Sequence, residues 1–566
     1  MQKRWIFEEE FDGDVVSTLQ QELNVSESLA RVLNQRGIGD LDGAKSFFKP
    51  SLEQLHDPFL MKDMDIAAKR LSAAIHQGES ILVYGDYDVD GTTAVATFFG
   101  FLSEFYDKLA FYIPDRYQEG YGVSEQGIEY AAENGFSLIV TLDCGIKAVD
   151  RVSQANALGI DVIICDHHMP GDELPAATAV LDPKRTDCDY PYKELSGCGV
   201  GFKLLQAYCQ LEEIEENRLL QYLDLLAVSI ASDIVPITGE NRVLAYFGLR
   251  KLNAAPRPGL QALVNLCKSR KELTISGIVF GIGPRINAAG RMDHAGAAVD
   301  LLLAKTIDEA EALADAINDK NDERRNFDST ITEEALDMIS SSETMLNAKS
   351  TVLFKNDWHK GVIGIVASRC IEKYYKPTVI LTESNDMVTG SARSVHGFDV
   401  YSAITECSEL LEQYGGHMYA AGVTMPSENV DAFKKKFEEV VSSRITQEQL
   451  KPVITIDTVI YLDEINERFF NIINKMGPFG PKNMQPVFVA ENVHATNAKV
   501  LKGEHLKFTV NQEGTDAAIE AIGFGFGEYV DLIDSGMRFH LAFTIEENDF
   551  RGIKSLQLFV KDIKFD

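Results

Sequence analysis

The stretch VYGDYDVDG, Val83 to Gly91, carries three carboxylates at alternate positions, Asp86, Asp88 and Asp90, directly after the apolar run ILVY. Like charges this close repel one another unless water, partners or cations compensate them. Asp and Gly also suit turns, so an acidic turn is the plain alternative. Three further stretches weigh against it. SLIVTLD ends at Asp143 beside Gly145, DVIICDHH ends at Asp166, His167 and His168, and LLQYLDLLAVSIASDIVP ends at Asp233 before Pro236. One carboxylate after an apolar helix is ordinarily a cap, whereas several acidic or imidazole ends in one chain suggest a ligand set. Asp88, Asp90, Asp143, His167 and Asp233 offer hard oxygen and imidazole donors suited to Mn²⁺ or Mg²⁺, and no thiolate cluster points to structural zinc. Two ions sharing a carboxylate activate water and stabilise charge on a transferring phosphoryl group. Hydrolysis at phosphorus is therefore the expected enzyme class, with a regulatory metal-binding module as the alternative.

These groups need elements that hold them together. ILVY, Ile81 to Tyr84, reads as a strand, and TTAVATFFGFLSEF as a helix opened by Thr92 or Thr93. Strands separated by helix-like sequence predict a parallel α/β sheet, whose ligands sit beyond the carboxyl ends of the strands. The first 75 residues read as helical. FGIGPRINAAGRMDHAG, with Arg285 and Arg291, suggests a close-approach phosphate clamp, although small residues also permit tight backbone packing. Residues 306–349 alternate charged and apolar positions, as a long, mostly exposed helix joining two lobes would. TVLF, HKGVIGIVASRCIEKY and PTVILT then begin a second α/β unit, in which SARS and YGGHMYAAG are expected turns. Beyond a boundary near 435–450, VITIDTVI, PVFVAENVHAT, LKFTVN and FHLAFTIEE predict a small barrel or sandwich.

Length and composition frame this reading. A chain of 566 residues accommodates two to four domains. Its formal net charge of −32 argues against a generally basic nucleic-acid coat, but leaves room for a local positive groove or a metal-mediated phosphate site. The start, MQKRWIFEEEFDGD, lacks the apolar core of a signal peptide, and no run reaches membrane-spanning length, so a cytoplasmic protein with no membrane partner is expected. Eight scattered cysteines form no metal knuckle and are expected to be reduced.

GDYDVDG, LDCG, CDHH and ASDIVP, in this order, resemble the DHH phosphoesterase superfamily, and GPRINAAGR with the later YGGH resembles its bacterial RecJ branch. The resemblance covers nearly the whole chain. It implies an α/β fold: a two-lobed DHH phosphoesterase core with a parallel sheet and a DHH-associated domain, plus a C-terminal OB-like β-barrel. The implied boundaries are 1–75 for an N-terminal helical extension of the core, 76–305 for the catalytic domain, 306–349 for the connecting helix, 350–445 for the associated domain and 446–566 for the barrel. It also implies a metal-dependent 5′-to-3′ exonuclease that degrades single-stranded DNA to 5′-mononucleotides in recombination and repair. Two divalent ions, Mn²⁺ or Mg²⁺, would serve it. By the same resemblance the protein is a monomer, nucleoid-associated during repair, with single-strand-binding protein and a RecQ-type helicase as partners.

Carried over residue by residue, the resemblance assigns Asp88 to one metal, Asp90, His167 and Asp233 to the other, and Asp143 as the bridge, with Asp86 adding to the first site. His168 lies by the scissile phosphate and, with Asp143 and Asp166, makes up the catalytic set. Tyr84 stands where many superfamily members have His, which leaves the first site to Asp86 and water. Arg285, Asn287 and Arg291 would contact backbone phosphates. Ser391, Arg393, Gly415, Gly416 and His417 would face the cleft, where backbone donors can approach a terminal phosphate. His359, Lys360 and Arg369 are further candidates, as are Phe479, Lys482, Lys502, His505 and Lys507 in the barrel, where aromatic stacking and basic groups hold unpaired strands. The alternatives are a DHH-type phosphodiesterase acting on short RNA or cyclic dinucleotides, and a non-enzymatic nucleic-acid-binding protein.

Overall fold

After an N-terminal strand, β1 (Arg4–Phe7), the next five strands form one parallel sheet: β2 (Ile81–Gly85), β3 (Leu109–Tyr112), β4 (Leu138–Leu142), β5 (Asp161–Cys165) and β6 (Ala179–Leu181), in the order β3-β2-β4-β5-β6. This is seen in a computed structural model that describes residues 3–8, 11–267, 272–292 and 294–565. The central strands are apolar runs because helices cover both faces of the sheet. Ile81 and Val83 point into the larger core, while Leu82 and Tyr84 point into the core on the opposite face. Register sets the ends level: Gly85 pairs with Leu142, Leu142 with Cys165, and Cys165 with Leu181. The next residue in each strand is an aspartate, so Asp86, Asp143, Asp166 and Asp182 stand in a row along the carboxyl edge.

The helix after β2, Val89–Leu102, is capped by Asp88, whose side chain accepts from Gly91 N at 3.0 Å. The expected opening at Thr92 or Thr93 is corrected accordingly. Both hydroxyls bond back to carbonyls of the first turn, those of Asp88 and Val89. GPRINAAGR forms the helix Gly283–Met292, entered through a π turn at Ile278–Ile282.

A helix of 34 residues, Ile307–Ser340, leads to the second lobe. There β7 (Thr351–Phe354), β8 (Thr378–Ser384), β9 (Met387–Arg393), β10 (Gln413–His417) and β11 (Ala420–Met425) form a mixed sheet ordered β10-β11-β9-β8-β7. The SARS and YGGH stretches, expected as turns, are strand ends. Small residues suit them because β11 packs between β9 and β10, and its Ala420 pairs with both Arg393 and His417.

The last strands are β12 (Val453–Ile456), β13 (Thr458–Val459), β14 (Phe488–Leu501), β15 (His505–Gln512), β16 (Ala518–Gly523), β17 (Phe539–Phe550) and β18 (Ile553–Phe565). Five of them, β14, β15, β16, β18 and β17, close into a barrel through the β14–β17 pairing. The N-terminal segment is not one extension of the first lobe. β1 pairs in parallel with β12, and Leu19, Leu29 and Leu33 share a core with Phe488, Phe508 and Phe539 of the barrel. The helix Met64–Gln77, by contrast, packs into the first lobe. Amphipathic periodicity marks a helix without saying which core receives its apolar face. Barrel and first lobe also touch: Arg242 Nη2 donates to Gly477 O at 2.8 Å, and Ile237 N to Pro481 O at 2.8 Å.

Candidate metal centre and facing cleft

The row of strand ends draws acidic and imidazole groups into a small volume. Asp86, Asp88 and Asp143 present oxygens within 4.8 Å of one another; Asp90, His167 and Asp233 form a second such group, and Asp143, His167 and His168 a third. His167 Nε2 lies 3.1 Å from Asp143 Oδ1, 3.5 Å from Asp233 Oδ2 and 3.8 Å from Asp90 Oδ2. Asp143 belongs to both ends of the cluster. Its backbone turns into the left-handed region at φ 61° to reach there. Gly197 makes the space, since a Cβ on it would fall 2.5 Å from Asp143 Oδ1.

Other residues fix individual ligands. Asp90 accepts from Gly197 N at 2.6 Å, Cys198 N at 2.9 Å and Ser229 Oγ at 2.7 Å, which places it at the positive end of the helix Gly197–Leu211. Asp166, expected in the catalytic set, spends both oxygens on positioning. Oδ1 accepts from His167 N at 2.7 Å and meets His168 Nδ1 at 2.8 Å, and Oδ2 accepts from Ile146 N at 2.9 Å. The other ring nitrogen of His168, Nε2, is 3.1 Å from the Tyr121 hydroxyl. Tyr84 takes no part in the cluster. Its side chain lies on the far face of the sheet, where its hydroxyl donates to Gly122 O at 3.0 Å and accepts from Ser124 N at 3.0 Å.

The electrostatics are those of an uncompensated anion cluster. Burial first, and then the neighbouring carboxylates, push Asp86, Asp143 and Asp233 well above the ordinary carboxylate range, and Asp88 upward as well. Burial lowers His167. Burial also works to raise Asp166, but His168 holds it down at about 2, and the same contact raises His168 against its own burial. Both oxygens of Asp86, Asp143 Oδ1 and both ring nitrogens of His167 are buried with no well-formed hydrogen bond. Buried polar atoms without partners are costly. Hard divalent cations fit this donor set, because oxygen and imidazole are their ligands and they cancel its charge.

A second wall faces the cluster. One cavity of about 270 Å³ joins Asp86, Asp88, Asp90 and Asp233 to Arg116, Asn287 and Arg291. Another, of about 690 Å³, runs from Asp88, Asp166 and His168 to Lys147, Arg151 and, in the second lobe, His417. Arg291 Nη1 donates to Gly361 O across the lobes at 2.9 Å, and burial followed by the nearby Arg116 and Arg324 lowers it to about 10. Burial likewise lowers Arg393, which donates to Ser391 Oγ at 2.9 Å, and Arg324, whose Nε is buried without a partner. These guanidiniums stay charged, and their mutual repulsion favours an anion between the lobes. Gly416 sits at φ 149°, where a Cβ would meet Ala420 O at 2.3 Å.

The other candidates divide. Arg285 lies outside the acidic cavity, where its guanidinium donates to Asn318 Oδ1 at 3.0 Å, Gly281 O at 2.6 Å and Leu266 O at 3.3 Å. His359 stacks on Phe327 at 5.0 Å, Lys360 lies over the Tyr117 ring at 5.9 Å, and Arg369 pairs with Glu372 at 3.2 Å. In the barrel, Lys507 pairs with Glu520 at 3.0 Å, His505 lies 3.5 Å from Glu504, and Lys502 is exposed at a turn with φ 51°. Lys482 occupies another left-handed turn, while Phe479 lines a cavity of about 1070 Å³ between barrel and first lobe, away from the acidic cluster. Sequence reasoning missed Arg116, Tyr121, Arg324 and Asp182. Asp182, raised to about 7 by burial, carried the same signal as its neighbours, an apolar strand ending in Asp.

Comparison with known proteins agrees with this layout. Family models match at residues 80–230 (DHH family, N-terminal domain), 347–443 (DHHA1 domain) and 456–562 (RecJ OB domain). The single-stranded-DNA-specific exonuclease RecJ of Bacillus subtilis is 37% identical over 556 residues, covering 97% of this chain and 70% of its own length. The protein of the same name from Escherichia coli is 31% identical, over 89% of this chain and 90% of its own. The crystal structure of Thermus thermophilus RecJ in complex with Mn²⁺ superposes with a TM-score of 0.84 at 26% identity, covering 100% of this chain and 80% of that one.

Proposed function

We infer, from the premise that the chain belongs to the RecJ family of single-stranded-DNA-specific exonucleases, that its two-walled cleft hydrolyses single-stranded DNA from the 5′ end and releases 5′-mononucleotides. The observation that carries this reading is the set of buried ligand atoms on Asp86, Asp143 and His167 that lack a well-formed hydrogen bond, with Arg116 and Arg291 lining the cavity into which Asp86 opens. Asp86 and Asp88 would hold one divalent cation, Mn²⁺ or Mg²⁺, and Asp90, His167 and Asp233 a second, with Asp143 between them. Bound there, the cations supply a water of lowered pKa and positive charge for the phosphoryl group.

The chain's own residues do the rest. Asp166 takes the Nδ1 proton of His168 in a hydrogen bond and so aims Nε2 at the cleft. Because the Asp166 carboxylate favours the protonated form of His168, that imidazole can donate a hydrogen bond to a phosphoryl oxygen. Arg116, Arg291 and Arg393, with Ser391, suit a terminal phosphate. Fixing that phosphate a set distance from the acidic cluster accounts for single-nucleotide steps. Asn287 lines the same cavity, and His417 closes the far side of the other, so the strand passes between two lobes. An unpaired strand can bend and unstack to do this, and the barrel suits the task of holding it as it enters.

By family resemblance the protein acts in recombination and repair as a cytoplasmic monomer, nucleoid-associated during repair, beside single-strand-binding protein and a RecQ-type helicase. Among the described residues no helix is long and apolar enough to cross a membrane. A panel of end-labelled single-stranded DNA, duplex DNA, single-stranded RNA and a cyclic dinucleotide, each with Mn²⁺, tests the substrate class. Single-stranded DNA should be cut fastest. Preferential cleavage of the cyclic dinucleotide or short RNA would replace this reading with that of a small-phosphodiester hydrolase.

A further inference from the structure

Two exposed apolar side chains lie on the segments that carry Asp233 and the helix of Asn287 and Arg291, where packing gives them no reason to be. Ile234 directly follows Asp233, adopts φ 60° and remains 62% exposed, although Val235 and Ile237 beyond it are buried. A left-handed backbone is especially unfavourable for a β-branched residue, and the position that follows a helix cap is usually Gly or Asn when it adopts this conformation. Here the helix Leu223–Ser232 closes on Asp233, and Ile234 takes that position. The left-handed backbone disfavours the folded state and the exposed side chain offsets none of that cost, so packing within the fold does not account for an isoleucine here.

Phe280 is the second. At 79% it is the most exposed large hydrophobic side chain among the described residues, and it lies within the π turn Ile278–Ile282. Single π turns inside helices often mark functional sites. The two segments meet at one point, because a Cβ on Gly283, the residue after the turn, would lie 2.9 Å from Ser232 Oγ. Ile234 is two residues beyond Ser232, and Phe280 three before Gly283. The helix that starts at Gly283 then carries Asn287 and Arg291 to the acidic cavity, which Ser232 and Asp233 also line.

We propose that Ile234 and Phe280 form an apolar ledge at the rim of the acidic cavity that receives the sugar and base portions of a bound DNA strand. The inference rests on the nuclease reading of the same cleft. Phosphates are drawn to the arginines and the ligand row, and every phosphate in the strand is flanked by a sugar and a base. Those flanking groups need a surface that charged residues do not offer. A phenyl ring stacks on any base without selecting sequence, and a branched aliphatic chain suits the carbon-bound edge of a sugar. Charge holds the backbone, and the ledge holds what hangs from it.

The test compares wild type, Ile234→Gly, Ile234→Leu and Phe280→Ala for thermal stability, Mn²⁺ affinity and the KM of mononucleotide release from single-stranded DNA. Ile234→Gly should melt a few degrees higher, since glycine carries no strain at this φ. It should nevertheless raise KM, as should Phe280→Ala, by about fivefold or more. Mn²⁺ affinity should stay at the wild-type level, and Ile234→Leu should restore KM towards it. Unchanged KM in both truncations would overturn the ledge, and so would a loss of Mn²⁺ affinity that accounts for the KM change, because Ile234 would then act through Asp233. If the wild type itself released no mononucleotide, the nuclease reading would fall before the ledge was reached.

Discussion

At Asp143 the backbone enters the left-handed region, φ 61°, so that one carboxylate reaches both ends of the acidic cluster while Gly197 leaves room for it. Asp143→Ala should therefore lower hydrolysis by several orders of magnitude in steady-state assays while DNA binding persists in a folded variant. Asp166 acts at one remove. Asp166→Asn keeps the shape but loses the charge that favours the His168 proton, so the rate should fall by about 10- to 100-fold, with smaller change in KM. Individual site residues were legible in the sequence because Asp86, Asp143 and Asp166 each follow an apolar strand, and such ends gather at one edge of a parallel sheet. Asp182 was equally legible. Arg116 and Arg324 were not, since nothing local distinguishes a cleft arginine from a surface one. Arg285 and Arg291 show the limit from the other side: they share a motif and a helix, but only Arg291 lines the acidic cavity.

Among the elements, strand and helix type followed from periodicity, while small residues misled. SARS and YGGH carry turn-like composition, but they are strand ends whose small side chains admit a central neighbour, β11. The second lobe offers a separate electrostatic test. Glu438, on the helix Val430–Arg444, accepts from Lys349 N at 3.0 Å, Ser350 N at 2.8 Å, Ser350 Oγ at 2.5 Å and Ser442 Oγ at 2.8 Å, tying that helix to the segment leading into β7. Burial alone would raise its carboxyl, but these donors hold it below the ordinary value. A depressed carboxyl contributes stability above its unfolded pKa of about 4.5, and that contribution disappears as pH falls through the folded value. Glu438→Gln should thus cost roughly 1–3 kcal/mol near pH 7, and the difference in melting temperature from wild type should shrink as pH falls below about 4.5. A difference that stays constant down to pH 3 would remove the charge from the explanation.

On the scale of the whole molecule, the N-terminal segment and the C-terminal barrel form one body, and this changes what removing the barrel does. Truncation near residue 445 would strip β12 from β1 and uncover Leu19, Leu29 and Leu33, which the barrel core buries. The truncated chain should aggregate or bind a hydrophobic dye far more strongly than the intact one, and removing residues 3–48 as well should relieve this. The arrangement was not legible in advance because a parallel pairing across more than 440 residues, Arg4 with Val453, leaves no local trace. The −32 charge does not preclude a local positive wall, since Arg116 and Arg291 line the cavity that holds Asp86, Asp88, Asp90 and Asp233. The central claim, that this cleft removes nucleotides one at a time from a free 5′ end with the help of divalent cations, is tested most directly by following where a label goes. Single-stranded DNA labelled at the 5′ end should lose its label as mononucleotide from the earliest times with Mn²⁺ and keep it in EDTA, while a 3′ label should stay on long strands. Early release of the 3′ label, a first product longer than one nucleotide, or undiminished release in EDTA would contradict the account.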